Sequence, residues 1–372
     1  MAQYDAIVIG AGAMGGAALY QVGRRGARVL GIESLTPGHE GGSSHGATRV
    51  IRISYYEHPS YVPLVRAAMT LWRELESTAG QKLMHTTGII EIGRPDCELI
   101  QGTLASARHH HLQHQALDAK EVMRRIPAFK LPDDFIGVWQ PDGGYLEAEA
   151  GIKAHIDLAL AAGAQLHTNE IVRAVEPHGT GVRVTTDRGT YEAKTAIVAA
   201  GAWAKTFFPD LPLRVTRQVL GWFKPRDPAP FAEGRFPVFM LESPHGIHYG
   251  FPLDDAGLKI SKHFHLNETV DPATCERAVS AADENAIRAG IAGYLPDANG
   301  ELLEAKTCLY TMTPDGDFII DQIPSCPQII LASPCSGHGF KFAPVVGEIL
   351  ADLAMEGTTG HDISRFRLAR FN

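Results

Sequence analysis

The stretch Ala6-Ile7-Val8-Ile9-Gly10-Ala11-Gly12-Ala13-Met14-Gly15, followed by small residues and then by Ala27-Arg28-Val29-Leu30-Gly31-Ile32-Glu33, decides the fold. An apolar run that stops at Gly10, a helical stretch opening near Ala13 and a second β-branched run give the order strand, turn, helix, strand of a dinucleotide-binding unit. The three glycines have separate tasks. Gly10 makes the tight turn, Gly12 lets backbone approach a pyrophosphate, and Gly15 lets the helix pack on the strand, so that phosphates meet the positive end of the helix. Glu33 stands about 20 residues further on, where a carboxylate can accept from ribose hydroxyls and disfavours a 2′-phosphate. The pattern therefore favours NAD or FAD over NADP.

Composition sets the limits around this unit. The chain has 372 residues, 45% hydrophobic and 20% charged, enough for two domains with cores of their own. Its net charge of −8 opposes a nucleic-acid partner. The N-terminus enters a strand by about Asp5, without room for a signal peptide, and no apolar run reaches 18 residues, so the expected location is the cytoplasm, with no membrane partner. Five scattered cysteines without CxxC spacing oppose a disulfide framework and a zinc site, and no metal is expected.

Further along the chain, 38–45 is rich in Gly, Ser and His and reads as a loop. Arg49 and Arg52 follow; three residues apart, they share a face if their stretch is helical, and could hold a carboxylate or phosphate bidentately or simply be solvated. Residues 61–76 carry apolar side chains at helical spacing. From His85 short strands are expected, including 88–92 and 135–139, then a helix over 150–162 and a meander through 170–193. The apolar run 195–200 ends at Gly201. Such a second strand-to-glycine element suits a cofactor with two nucleotide halves, such as FAD, better than NAD. Residues 215–223, 237–241, 247–251 and 258–263 read as strands, 281–294 as a helix, 318–321 and 328–332 as strands, and Ser336 to Lys341 as the opening of a C-terminal helix. The fold class is thus α/β, α+β overall: a Rossmann-like FAD-binding domain (1–85, 150–215, 309–372) with a second, mostly antiparallel β-sheet substrate domain (86–149, 216–308), and a ligand between them.

The stretches Gly42-Ser43-Ser44-His45-Gly46-Ala47-Thr48-Arg49-Val50-Ile51-Arg52, Thr307-Cys308-Leu309-Tyr310 and Ser336-Gly337-His338-Gly339-Phe340-Lys341-Phe342 resemble the monomeric sarcosine oxidase and N-methyltryptophan oxidase family of amine-oxidising flavoproteins. The likeness runs over the whole chain. It implies covalently held FAD, a two-domain fold, a monomer, and a substrate carrying a secondary amine and a carboxylate, with oxygen as the second substrate. The chain departs from the family pattern where Ser44 and Ala47 replace a histidine and an aspartate, and where Ile53-Ser54-Tyr55-Tyr56 replaces a His-Ala-Tyr-Gly run.

Carried over position by position, the resemblance implies that Arg52 and Lys341 grip the substrate carboxylate, that Tyr249, Tyr310, Met240 and His263 shape the pocket around the amine, and that Cys308 forms a thioether to the flavin. Arg49 and His45 correspond to positions against one flavin face. Lys259 corresponds to a position beside the flavin, where a cation favours electron transfer to oxygen; by alternation alone, Lys259 would turn outward. Gly10, Gly12, Gly15, Glu33, Ser34, Ser43, Thr48, Val172, Gly201, Trp203, Gly337, Gly339, Phe340 and Lys341 are the further cofactor contacts. The helix expected to open at 337–340 would aim its positive end at the flavin pyrimidine. The reading is an FAD-dependent oxidase of N-methyl amino acids releasing formaldehyde and hydrogen peroxide. Its alternatives are the same fold acting on glycine, a cyclic imino acid or a glycated amino acid, an NAD-linked dehydrogenase, and a flavin subunit that passes electrons to a partner.

Overall fold

The computed structural model describes residues 3–371. β1 (Tyr4–Ile9), α1 (Ala13–Gly23) and β2 (Val29–Ile32) form the unit read from the sequence. β1 lies inside a parallel core: β2 and Gln165–His167 follow on one side, Thr190–Val198 and Cys326–Ser333 on the other. Successive side chains of β1 enter different cores, Ala6 and Val8 meeting the helices while Ile7 and Ile9 pack on the opposite face. A strand covered on both faces must be apolar throughout, hence the unbroken run that begins the chain. The segments read as separate strands before and after Lys194 are one strand, Thr190–Val198, whose first half carries the antiparallel flap Gly181–Thr186 and Val172–His178.

A second eight-stranded sheet has the order Glu301–Met312, Arg214–Lys224, Leu258–Lys262, Gly246–Gly250, Val238–Ser243, Ile89–Gly93, Ile136–Gln140, Gln115–Asp118. Every pairing in it is antiparallel except that of Val238–Ser243 with Ile89–Gly93. Two helices, Glu98–His109 and Ala119–Arg125, stand where the sequence suggested only strands. The second had a legible start, since Asp118 caps it by accepting from the Glu121 N–H at 2.7 Å.

Two expectations fail locally, for physical reasons. Thr48–Ile51 is a strand paired with Gly144–Glu147, so Arg49 and Arg52 share no helix face. Thr48, Val50 and Ile51 are β-branched and suit a strand once a partner is present. The C-terminal helix runs over Ala343–Glu356 and opens after a single 3₁₀ turn, Phe340–Phe342. Pro344 lacks an N–H and is tolerated in the first helical turn, which sets the start where it is. Gly337, at φ +81°, belongs to the preceding turn, where a Cβ would lie 2.5 Å from the Tyr310 ring. Among the described residues no helix is long and apolar enough to cross a membrane.

Candidate active site

A cavity of about 560 Å³ lies between the two sheets. Gly10, Gly12, Glu33, Ser34, Val172, Gly201 and Trp203 reach it from the parallel sheet and its connections. Met240, Tyr249, His263, Cys308 and Tyr310 reach it from the antiparallel sheet, and Gly337, Gly339, Phe340 and Lys341 from the turn before the C-terminal helix. Ser43, Arg49 and Arg52 complete the wall. Gly15, His45, Thr48 and Lys259 do not line it.

The glycines divide their tasks as the sequence suggested. A Cβ on Gly15 would stand 1.7 Å from the Gly10 carbonyl oxygen, so only glycine lets α1 close on β1. One on Gly10, at φ +89°, would stand 2.7 Å from the Ala199 carbonyl oxygen. Gly12 has no protein atom nearer than 3.8 Å to such a Cβ and opens on the cavity, which leaves space for a pyrophosphate. Glu33 is buried and accepts from the Ala11 N–H at 2.7 Å and the Leu35 N–H at 3.0 Å, so it also braces the glycine turn. Together with the second glycine element at Gly201, these residues fit the phosphates and ribose of a long dinucleotide such as FAD.

Arg49 donates to the carbonyls of Thr48 at 2.9 Å, Ser43 at 3.1 Å and His45. Among the described residues it has no acidic partner, so a whole positive charge stands at the wall. The loop that carries it is held from the other side by Glu149, which accepts from the Gly46 N–H at 2.6 Å and the Ala47 N–H at 3.1 Å. Arg49 is therefore held by backbone carbonyls and its loop by Glu149, with no side chain of residue 47 taking part. His45 is buried with both ring nitrogens unpaired, and burial pulls its pKa down to about 4, which keeps it neutral.

Lys259 is buried, against the outward turn that alternation suggested. Leu258 and Ile260 face the apolar core beneath the sheet, so Lys259 must face the other way, and that face is covered by the loop at 46–48. Its amine donates to the carbonyls of Gly46 at 2.5 Å and Thr48 at 2.7 Å. Burial and the nearby Arg49 lower its pKa.

The cluster around Arg52 was not read from the sequence. Its guanidinium donates to both Glu57 oxygens at 2.6 Å, and its Nε stands 4.0 Å from Glu91, which is wholly buried. Glu91 lies in one cross-strand row with Met240 and Tyr249 and thus faces the same side. Burial raises the Glu57 carboxyl, but Arg52 more than reverses this and holds it at about 2. Burial wins at Glu91 and lifts it to about 7. A signal was present: a carboxylate inside Ile89-Ile90-Glu91-Ile92 is as unexpected as a lysine at 259.

Lys341 is buried, and burial together with Arg52 lowers its pKa to about 7. It donates to the His338 carbonyl at 2.7 Å. His263 lies 3.2 Å from the Tyr310 hydroxyl, and burial drives it to about 3, so it is a neutral hydrogen-bonding group. Cys308 is a free, buried thiol whose pKa burial raises; Cys335 also lines the cavity. One wall thus carries Arg52 and Lys341, another a neutral histidine with tyrosines. Such a site can bind a carboxylate and an uncharged amine together in a desolvated space.

The family model described as FAD dependent oxidoreductase matches residues 5–353. The chain is 41% identical to the monomeric sarcosine oxidase of Streptomyces avermitilis over 371 residues, covering 98% of this chain and 96% of that one. It is 38% identical to the N-methyl-L-tryptophan oxidase of Yersinia pestis over 377 residues, covering 99% of each. Among solved structures, NikD, an unusual amino acid oxidase essential for nikkomycin biosynthesis, superposes in its open form with a TM-score of 0.86 at 29% identity, covering 98% of this chain and 97% of that one. Glycine oxidase from Geobacillus kaustophilus, at 22% identity and a TM-score of 0.83, shares the fold. With the glycine turn, the second glycine element and this full-length likeness together, the chain belongs to the FAD-dependent oxidoreductase family and is a flavin-dependent oxidoreductase.

Proposed function

We propose that the protein oxidises a secondary-amine amino acid of the N-methyl type, using oxygen. The observation that carries this reading is the pair Arg52 and Lys341, two buried cations from separate segments at one cavity wall, with neutral His263 and Tyr310 on the antiparallel sheet. A flavin held by these residues would supply the acceptor for a hydride from the carbon next to the amine. The chain's residues supply the rest. Arg52 and Lys341 fix the carboxylate, which sets the distance of the reacting carbon, and burial keeps His263 an uncharged hydrogen-bonding group on the cavity wall. The relatives named for sarcosine and N-methyl-L-tryptophan support the class, and the glycine oxidase fold keeps a primary amine as the comparison substrate. Purified protein given sarcosine, N-methyl-L-tryptophan, proline and glycine is expected to release peroxide with one of the first two; peroxide with glycine or proline alone overturns the proposal.

FAD is proposed to be attached through Cys308, a buried thiol on the cavity wall near Arg49. Acid precipitation should leave the yellow colour in the pellet of the parent and of Cys335→Ser, but in the supernatant of Cys308→Ser. Colour released from Cys335→Ser instead moves the attachment to the other cavity thiol.

A further inference from the structure

Behind the two cations lies one residue that touches both. Tyr55 is completely buried and does not line the cavity. The Arg52 guanidinium carbon stands 4.3 Å from its ring centre and the Lys341 ammonium nitrogen 5.1 Å. Its hydroxyl lies 2.6 Å from His338 Nδ1 and 3.4 Å from Lys341 Nζ.

The direction of these hydrogen bonds follows from chemistry. His338 Nε2 lies 3.0 Å from the Gly316 carbonyl oxygen, which can only accept, so Nε2 carries the proton. Burial holds His338 neutral, with a pKa near 4, and Nδ1 is therefore an acceptor. The Tyr55 hydroxyl donates to it, which leaves the phenol oxygen lone pairs for Lys341. Of the three ammonium donors, one serves the His338 carbonyl and one the Tyr55 oxygen, and the third remains for the cavity. The same electron-rich ring is within reach of both cations, which repel each other, and attracts each of them.

We infer that Tyr55, anchored by His338, is a positioning residue: it aims the Lys341 ammonium at the substrate carboxylate and offsets the repulsion between Lys341 and Arg52. This rests on the reading of those two cations as the carboxylate grip. It assigns the Tyr55 hydroxyl and His338 a task that acts only through Lys341 and only on an anion.

The test compares two small ligands of one shape, acetate and acetamide, titrated calorimetrically into the FAD-loaded enzyme. Tyr55→Phe keeps the ring and removes the hydroxyl. It is expected to weaken acetate about tenfold and acetamide less than twofold, and to add nothing to the acetate loss already caused by Lys341→Met. An unchanged acetate affinity, an equal loss for both ligands, or a full further loss on the Lys341→Met background overturns the inference. If Lys341→Met by itself leaves acetate binding unchanged, the grip reading fails, and Tyr55 with it; if Lys341→Met weakens acetate and Tyr55→Phe does not, only the role of Tyr55 fails. Should Tyr55→Phe not fold, His338→Gln removes the ring acceptor with Tyr55 left in place, and is expected to weaken acetate selectively as well; no selective loss there overturns the inference.

Discussion

Lys259→Met is expected to unfold more readily than the parent by about 2 to 3 kcal/mol and, once loaded with FAD, to be slow in only one half-reaction. The stability loss follows from the two charge-assisted hydrogen bonds, at 2.5 and 2.7 Å, that the carbonyls of Gly46 and Thr48 lose, while Gly46 keeps the Thr48 N–H and Thr48 keeps Arg49 as a donor. The methionine side chain fills the space between Trp222 and Phe251, so the loss is one of hydrogen bonding and not of packing. Because Lys259 contacts the loop of Arg49 and no part of the Arg52 and Lys341 wall, anaerobic reduction by substrate should stay near the parent rate. On the proposal, drawn from the family resemblance, that Lys259 lies beside the flavin, reoxidation by oxygen should slow by about 100-fold, a barrier change of about 2.7 kcal/mol. Lys259→Arg, which retains a cation of different shape, should recover part of it. Stopped-flow traces with normal reoxidation in Lys259→Met would reduce Lys259 to a structural brace.

The second large effect is at Arg52. Both Arg52→Met and Lys341→Met should weaken carboxylate binding by about 2 kcal/mol, since each removes a charge-assisted hydrogen bond from a desolvated wall. Only Arg52→Met should also destabilise the fold, by about 3 to 5 kcal/mol, because Glu57 and Glu91 are left without their cation. The pH dependence separates this from a simple packing loss. Glu57 is held at about 2, below its unfolded value of about 4.3, so its contribution is present above that value and is lost as pH falls toward 2. Glu91 is raised to about 7, so its contribution has the opposite sign: present at low pH and lost as pH rises through 7. Without Arg52 both carboxyls lose a downward pull, and both prefer the protonated form. The difference in melting temperature between parent and Arg52→Met should therefore be widest above pH 7 and narrow below pH 4. A constant difference over that range would show that the ion cluster is not its source.

Much of this architecture is legible without coordinates because it depends on short-range constraints. The glycine turn needs three glycines at fixed offsets, and a parallel strand covered on both faces, by helices on one and by the antiparallel flap on the other, needs an unbroken apolar run. Both are written within the first 33 residues. The antiparallel strands followed from alternation and turn residues for the same reason. Locally ambiguous segments went astray where a distant partner decides: Thr48–Ile51 is a strand because Gly144–Glu147 lies beside it, almost 100 residues later.

The sequence by itself determined the dinucleotide unit and the two-sheet plan, and most of the residues it singled out, by motif spacing and family resemblance, line the cavity. Only the tertiary structure decided what the charged residues do. Whether Lys259 faces solvent or a buried carbonyl pair depends on which loop covers its face of the sheet. Whether Arg52 is a free cation or the centre of an ion cluster depends on a strand, Ile89–Gly93, that puts Glu91 beside it. Burial strengthens these charge interactions and shifts the pKa values, and burial comes from contacts between segments far apart in the chain, which no local pattern of residues encodes.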